Sequence, residues 1–94
     1  MITPDAMPRL ASKARLRTDK KTGQKILLYP EKGLLLNPTG ARILELCTGD
    51  RTVAALIDLL AGEHPDGDRA TIGAEVTSFL QRLFDAGLVR TEPE

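Results

Sequence analysis

KILLYPEKGLLLNPTGARILELCTGDRTV, residues 25–53, decides the fold. It places two short apolar runs, a turn and the start of a capped amphipathic helix next to one another. The second run, Leu34-Leu35-Leu36, is apolar on both faces, so the strand it forms must be covered on both sides or held ready for a partner. Asn37-Pro38 opens the first helix: Asn supplies the N-cap oxygen, and Pro sits at N1, where its missing N–H costs nothing. Ala41, Ile43, Leu44 and Cys47 follow at helical spacing, and Gly49 closes the segment.

Upstream, Arg15 and Arg17 alternate with Leu16, the period-2 pattern of a strand over residues 14–18. Asp19-Lys20-Lys21-Thr22-Gly23 reads as a turn, Lys25 to Tyr29 as a second strand, Pro30 to Gly33 as another turn, and Leu34 to Leu36 as the third strand. Short turns between consecutive strands imply an antiparallel meander. Residues 1–12 hold two prolines and no apolar period, and are expected to form a flexible N-terminal arm ahead of one domain over residues 13–91.

Downstream, Thr52 caps a second helix with an apolar stripe of Val53, Leu56, Ile57 and Leu60, ending at Gly62. EHPDGD, residues 63–68, is a polar loop. A third helix spans about Arg69 to Ala86, with Ile72, Val76, Phe79, Leu80, Leu83 and Phe84 on one broad face. Its end reads as a Schellman motif, with Gly87 left-handed and Leu88 folding back onto Leu83. The expected fold class is α+β and winged-helix-like: an N-terminal three-stranded antiparallel β-meander followed by a three-helix bundle, its last two helices forming a helix-turn-helix pair.

Composition narrows the function. Ninety-four residues suit one modest core, and 3% aromatic content without Trp makes that core aliphatic. No apolar run approaches the roughly 18 residues of a membrane span, and the N-terminus lacks the apolar region of a secretory signal. A single cysteine excludes an internal disulfide framework and suits a cytoplasmic location. Formal net charge is zero but segregated: residues 1–33 carry eight basic and three acidic side chains, residues 34–94 five basic and ten acidic. The two halves attract one another, and the basic strand half could also steer an acidic partner.

Nothing resembles a catalytic constellation. His64, flanked by Glu63, Asp66 and Asp68, matches no metal-loop spacing and reads as part of a solvated loop. Cys47 lies on an apolar stripe and reads as a small buried hydrophobe without a nearby base. The eight glycines are scattered over turns and caps rather than gathered in a phosphate loop. The expectation is a non-enzyme with no cofactor, no metal, no nucleic acid and no membrane among its partners. A winged-helix DNA-binding regulator is the alternative, but the third helix sets Arg69 and Arg82 against Glu75 and Asp85, without the basic face that phosphate contact requires. A dimerisation module is a third reading. The reading favoured by the residues is peptide capture by strand addition, with Leu34–Leu36 as the open edge and the third helix walling a groove for alternate side chains.

YPEKGLLLNPTGARILELCTGDRTVAALIDLL, followed by VTSFLQRLFDAGLV, resembles the PqqD family of pyrroloquinoline quinone (PQQ) biosynthesis proteins over roughly residues 8–91. The marks are Pro30-Glu31 before the Leu strand, Leu36-Asn37 leading into Ile43-Leu44 and Leu46-Cys47, the Gly49 turn with Thr52-Val53, and Phe79-Leu80, Leu83 and Gly87-Leu88-Val89. One departure is Thr48, where many members carry Asp. The resemblance implies a peptide chaperone, a recognition element that binds the precursor peptide PqqA and presents it to the radical S-adenosylmethionine (SAM) enzyme PqqE. It also implies a peptide site between the third strand and third helix. On this chain that site comprises Leu34, Leu35 and Leu36 facing Glu75, Val76, Phe79, Leu80 and Leu83.

Overall fold

The structure, a computed structural model, describes residues 2–29 and 32–91. In chain order the elements are β1 (Arg9–Leu10), β2 (Arg15–Thr18), β3 (Lys25–Tyr29), β4 (Lys32–Leu36), α1 (Pro38–Glu45), α2 (Val53–Glu63), α3 (Arg69–Asp85) and β5 (Val89–Arg90). The class is α+β, with three helices and antiparallel strands. The strands form two sheets: β2-β3-β4, and a short pair of β1 with β5. The expected meander is therefore one of two sheets rather than the whole β structure.

In the larger sheet Leu16, Leu27 and Leu34 stand opposite one another, and Thr18, Lys25 and Leu36 form the next row of the same face. Leu27 is completely buried and Leu36 nearly so, which turns that face onto the helices. Between β2 and β3, Gly23 adopts φ +76, and the Gly23 N–H donates to Asp19 O at 2.8 Å. The third strand is longer than expected because Tyr29 pairs with Lys32 and Leu28 with Gly33. Lys32 and Gly33 thus belong to β4 rather than to the turn. The expected turn residues Pro30 and Glu31 lie outside the described residues.

Each helix starts where a side-chain oxygen is available for an orphan N–H. Asn37 Oδ1 accepts from Gly40 N at 2.7 Å, Thr52 Oγ1 from Ala55 N at 3.1 Å, and Asp68 Oδ1 from Ala70 N at 3.3 Å. At the end of α3, Gly87 takes φ +76, with Leu88 N–H bonded to Leu83 O at 2.8 Å and Gly87 N–H to Phe84 O at 3.0 Å. These are the two bonds of a Schellman motif. A single aliphatic core joins Leu27 and Leu36 of the sheet to Ile43, Leu44, Leu56, Leu60, Val76, Leu80 and Leu83 of the helices. Among the described residues no helix is long and apolar enough to cross a membrane.

The described part of the expected N-terminal arm is packed instead. Ile2 and Ala11 are buried, and Pro8 is among the most enclosed residues. The cause is hydrogen bonding as much as apolar burial. The first two N–H groups of α2, on Val53 and Ala54, have no partner within their own helix, and they donate to Ala6 O and Pro4 O at 2.9 and 3.1 Å. Gly49, at φ +84, donates to Pro8 O, and Ala11 N–H to Leu88 O. Arg9 and Leu10 then pair with Arg90 and Val89. Residues 2–11 thus clasp the start of α2 and the segment Leu88–Arg90.

Removing residues 1–11 is therefore expected to lower thermal and urea stability markedly while leaving the residues of the larger sheet in place. Circular dichroism melting of the shortened chain checks this; an unchanged melting temperature would return the segment to the status of an arm.

Candidate functional site

Strand β4 is bonded to β3 on one side only; among the described residues no strand pairs with its other edge. An open strand edge of this length normally carries a charge, a bulge or a covering loop that blocks further pairing. Here the one charge is Lys32 at the start of the strand; beyond Gly33 the edge carries Leu34, 39% exposed, and Leu35, 61% exposed, and of the three leucines only Leu36 is buried, at 4%. The chain then passes directly from Leu36 through the Asn37 cap into α1, so the edge is fixed in direction by a capped helix.

Opposite this edge runs α3, and between them lies a groove of about 710 Å³. Leu34, Leu35 and Leu36 line one side, and Glu75, Phe79 and Leu83 the other. These are six of the eight residues expected at the site. Val76 and Leu80 are 1% and 0% exposed and do not line the groove. The apolar stripe of α3 is broad enough for its two edges to serve different surfaces, and these residues lie on the edge turned into the core.

Sequence reasoning missed the floor and rim. Gly40 and Ile43 of α1 form the floor, and Ser78 and Arg82 extend the α3 wall. Gly40 has a specific reason to be glycine inside a helix, where it costs about 1 kcal/mol relative to alanine. A Cβ there would stand 3.3 Å from Phe79 Cζ and 3.2 Å from Asn37 Oδ1. The missing side chain lets the half-buried Phe79 ring settle onto α1. The legible signal was a glycine four residues after the Leu strand, in a helix otherwise free of it.

Charge at the groove is sparse. Glu75 and Arg82 are exposed on the α3 wall, seven residues and so about 10.5 Å apart along the axis. The Arg82 guanidinium lies 5.9 Å from the Phe79 ring centroid, near the outer limit of a cation–π contact. The remaining lining is mostly aliphatic and aromatic, with Asn37, Thr39 and Ser78 as neutral polar groups, and the open backbone edge of β4 runs along it. Such a site suits an extended peptide with alternating apolar side chains.

The reactive side chains lie elsewhere. Cys47 is buried, its Sγ donates to Ile43 O at 3.2 Å, and desolvation pushes its thiol up to about 12. It therefore stays protonated at neutral pH and makes no nucleophile. His64 caps the end of α2, beside Glu63. The Glu63 carboxyl is held below the usual range chiefly by its hydrogen bond from Arg42, an ion pair that fastens α1 to the end of α2.

Residues 24–89 match the family model of coenzyme PQQ synthesis protein D (PqqD). A PqqA binding protein of Rhodopseudomonas palustris (strain HaA2) is 40% identical over 88 residues, covering 94% of this chain and 85% of that protein. A PqqA binding protein of Methylococcus capsulatus is 29% identical over 89 residues, covering 95% and 92%. The solution NMR structure of the PqqD truncation of Methylobacterium extorquens PqqCD, a stand-alone recognition element for ribosomally synthesised and modified peptides, superposes with a TM-score of 0.80. That match has 28% identity and covers 96% of this chain and 95% of that one. TbiB1, solved in complex with the TbiA(beta) leader peptide, shares the fold at a TM-score of 0.74 and 18% identity, over 92% of this chain and 99% of that one.

Adjacent residues of α3 should separate core from groove. Leu80→Ala is expected to cost about 2–5 kcal/mol, whereas Phe79→Ala should cost less than the about 3–5 kcal/mol of a fully enclosed Phe. Urea denaturation of both variants gives the comparison. A loss at Phe79 as large as that of an enclosed ring would place it in the core.

Proposed function

This chain belongs to the PqqD family, and on that premise we propose that it binds the precursor peptide PqqA in the β4–α3 groove and presents it to the radical SAM enzyme PqqE during PQQ biosynthesis. The observation that carries the reading is an exposed apolar strand, open along one edge, beside a helix that offers Phe79 and Leu83. The peptide joins the sheet as a strand next to β4, its backbone taking up the free N–H and C=O groups, while alternate side chains enter the groove. The names of the relatives support PqqA as the ligand.

In this reading the chain is a cytoplasmic, winged-helix-like adaptor with no cofactor and no catalysis of its own. The sheet followed by three helices supports that description of the fold. Radical chemistry belongs to the partner's cofactors, and the adaptor raises the local concentration of the peptide and fixes its orientation. DNA binding is disfavoured by α3 itself, where the Arg69 guanidinium pairs with Asp58 and the Arg82 guanidinium sits over Phe79.

In a strand, successive N–H groups point to opposite sides. Proline at Leu34 and, separately, at Leu35 therefore deletes one donor facing β3 and one facing the open edge. The variant that retains its β3 bond is expected to fold and to lose PqqA binding by calorimetric titration. Wild-type binding should vary little between low and high salt, unlike phosphate contact. Unaltered affinity in both folded variants, or affinity that collapses with salt, would overturn strand addition.

A further inference from the structure

The β2-β3-β4 sheet has a second face that neither the core nor the helices use. Register places Arg15, Leu28 and Gly33 in one row and Arg17, Ile26 and Leu35 in the next. Alternation sends all six away from the core, because Leu27, between Ile26 and Leu28, is fully buried on the opposite side. Leu28 is 40% exposed and Leu35 61%, Ile26 is half-buried, and both arginines are exposed. Gly33 keeps the patch flat. A Cβ there would lie 3.3 Å from Leu28 Cδ2 and 3.5 Å from Ile26 Cγ2, so the two aliphatic chains lean over bare β4 backbone. Among the described residues neither Arg15 nor Arg17 forms an ion pair.

An aliphatic patch flanked by two exposed guanidiniums fits a protein surface that is apolar in the middle and acidic at its rim. A second copy seated face to face is disfavoured, since it would oppose the arginine pair of one chain to that of the other. A lipid surface is also disfavoured. Interfacial anchoring draws on Trp and Tyr, but the chain has no Trp, and its single Tyr, Tyr29, stands in the rows of the core-facing side.

Position identifies the partner further. Leu35 belongs to this face and also lines the groove. A peptide strand added to β4 would continue the face by one strand, with alternate side chains standing beside Leu35 and Gly33. A protein docked there would touch the domain and the bound peptide together. We infer that this outward sheet face is the docking surface for the enzyme that modifies the presented peptide, recognised through acidic groups around an apolar contact. The inference rests on the groove reading given under Proposed function.

Two variants test it: Arg15→Glu with Arg17→Glu, and Leu28→Ser, each shown to be folded by circular dichroism. Binary titration with PqqA reads the groove alone, and titration of the PqqA-loaded domain with PqqE reads the face. The expected result is PqqA affinity within about twofold of wild type, with PqqE affinity lowered at least about tenfold by the charge reversal. Leu28→Ser should also weaken PqqE binding, and Arg15→Lys with Arg17→Lys should retain most of it. Undiminished PqqE affinity in both folded variants would overturn the inference. So would loss of binding to phosphatidylserine vesicles in variants that still bind PqqE, which would mark a lipid surface. A wild-type chain that fails to bind PqqA would instead overturn the groove reading, which the binary titration reports separately.

Discussion

The N–H and C=O groups along the outer edge of β4 find no strand partner among the described residues, and the rest of the structure is arranged around that open edge. An unpaired, apolar edge invites uncontrolled association. Here its reach is limited by geometry. The edge is five residues long, β3 bonds it on one side, and α1 begins immediately at its end. Helix α3 stands across the groove and forms its opposite wall. Burial of Leu36 anchors the strand, while Leu34 and Leu35 stay available. The same three leucines thus divide between the buried core and the exposed groove.

Holding that groove open requires a stiff frame, and much of the stiffness comes from segments distant in sequence. The N-terminal residues cap α2 through Pro4 and Ala6 and pair with β5 just beyond the Schellman turn of α3. Ile2 N–H also reaches Gln81 Oε1 at 2.7 Å, on the helix that forms the groove wall. Ile2 and β5 therefore both brace α3. Gly40 completes the frame by letting Phe79 rest on α1, which sets the spacing between helix and strand without a bulky contact in the groove itself.

Much of this was legible in the residues because the signals were local. Asn37-Pro38, Thr52 and Asp68 mark helix starts through chemistry that acts within one turn, and Gly87-Leu88 marks a helix end in the same way. The N-terminal strand was not legible. Two residues, Arg9 and Leu10, carry no periodic pattern, and their partners lie some eighty positions later, at Val89 and Arg90. Isolated short strands acquire their identity only from tertiary pairing. For the candidate site, Leu34 to Leu36, Glu75, Phe79 and Leu83 were readable from an open edge facing a long helix. Val76 and Leu80 were misplaced, because helical periodicity identifies an apolar stripe but not which of its edges meets the core. Gly40 and Arg82 were not placed at the groove because their positions there depend on the Phe79 ring, a contact visible only in three dimensions.

Amide hydrogen exchange across Lys32 to Leu36, with and without saturating PqqA, tests strand addition most directly. Edge amides not bonded to β3 exchange readily in the free chain, and a newly added strand would give them partners. The account predicts strong slowing at alternate β4 amides on binding, with little change in the β2–β3 ladder. Full PqqA binding with β4 exchange unaltered would contradict it.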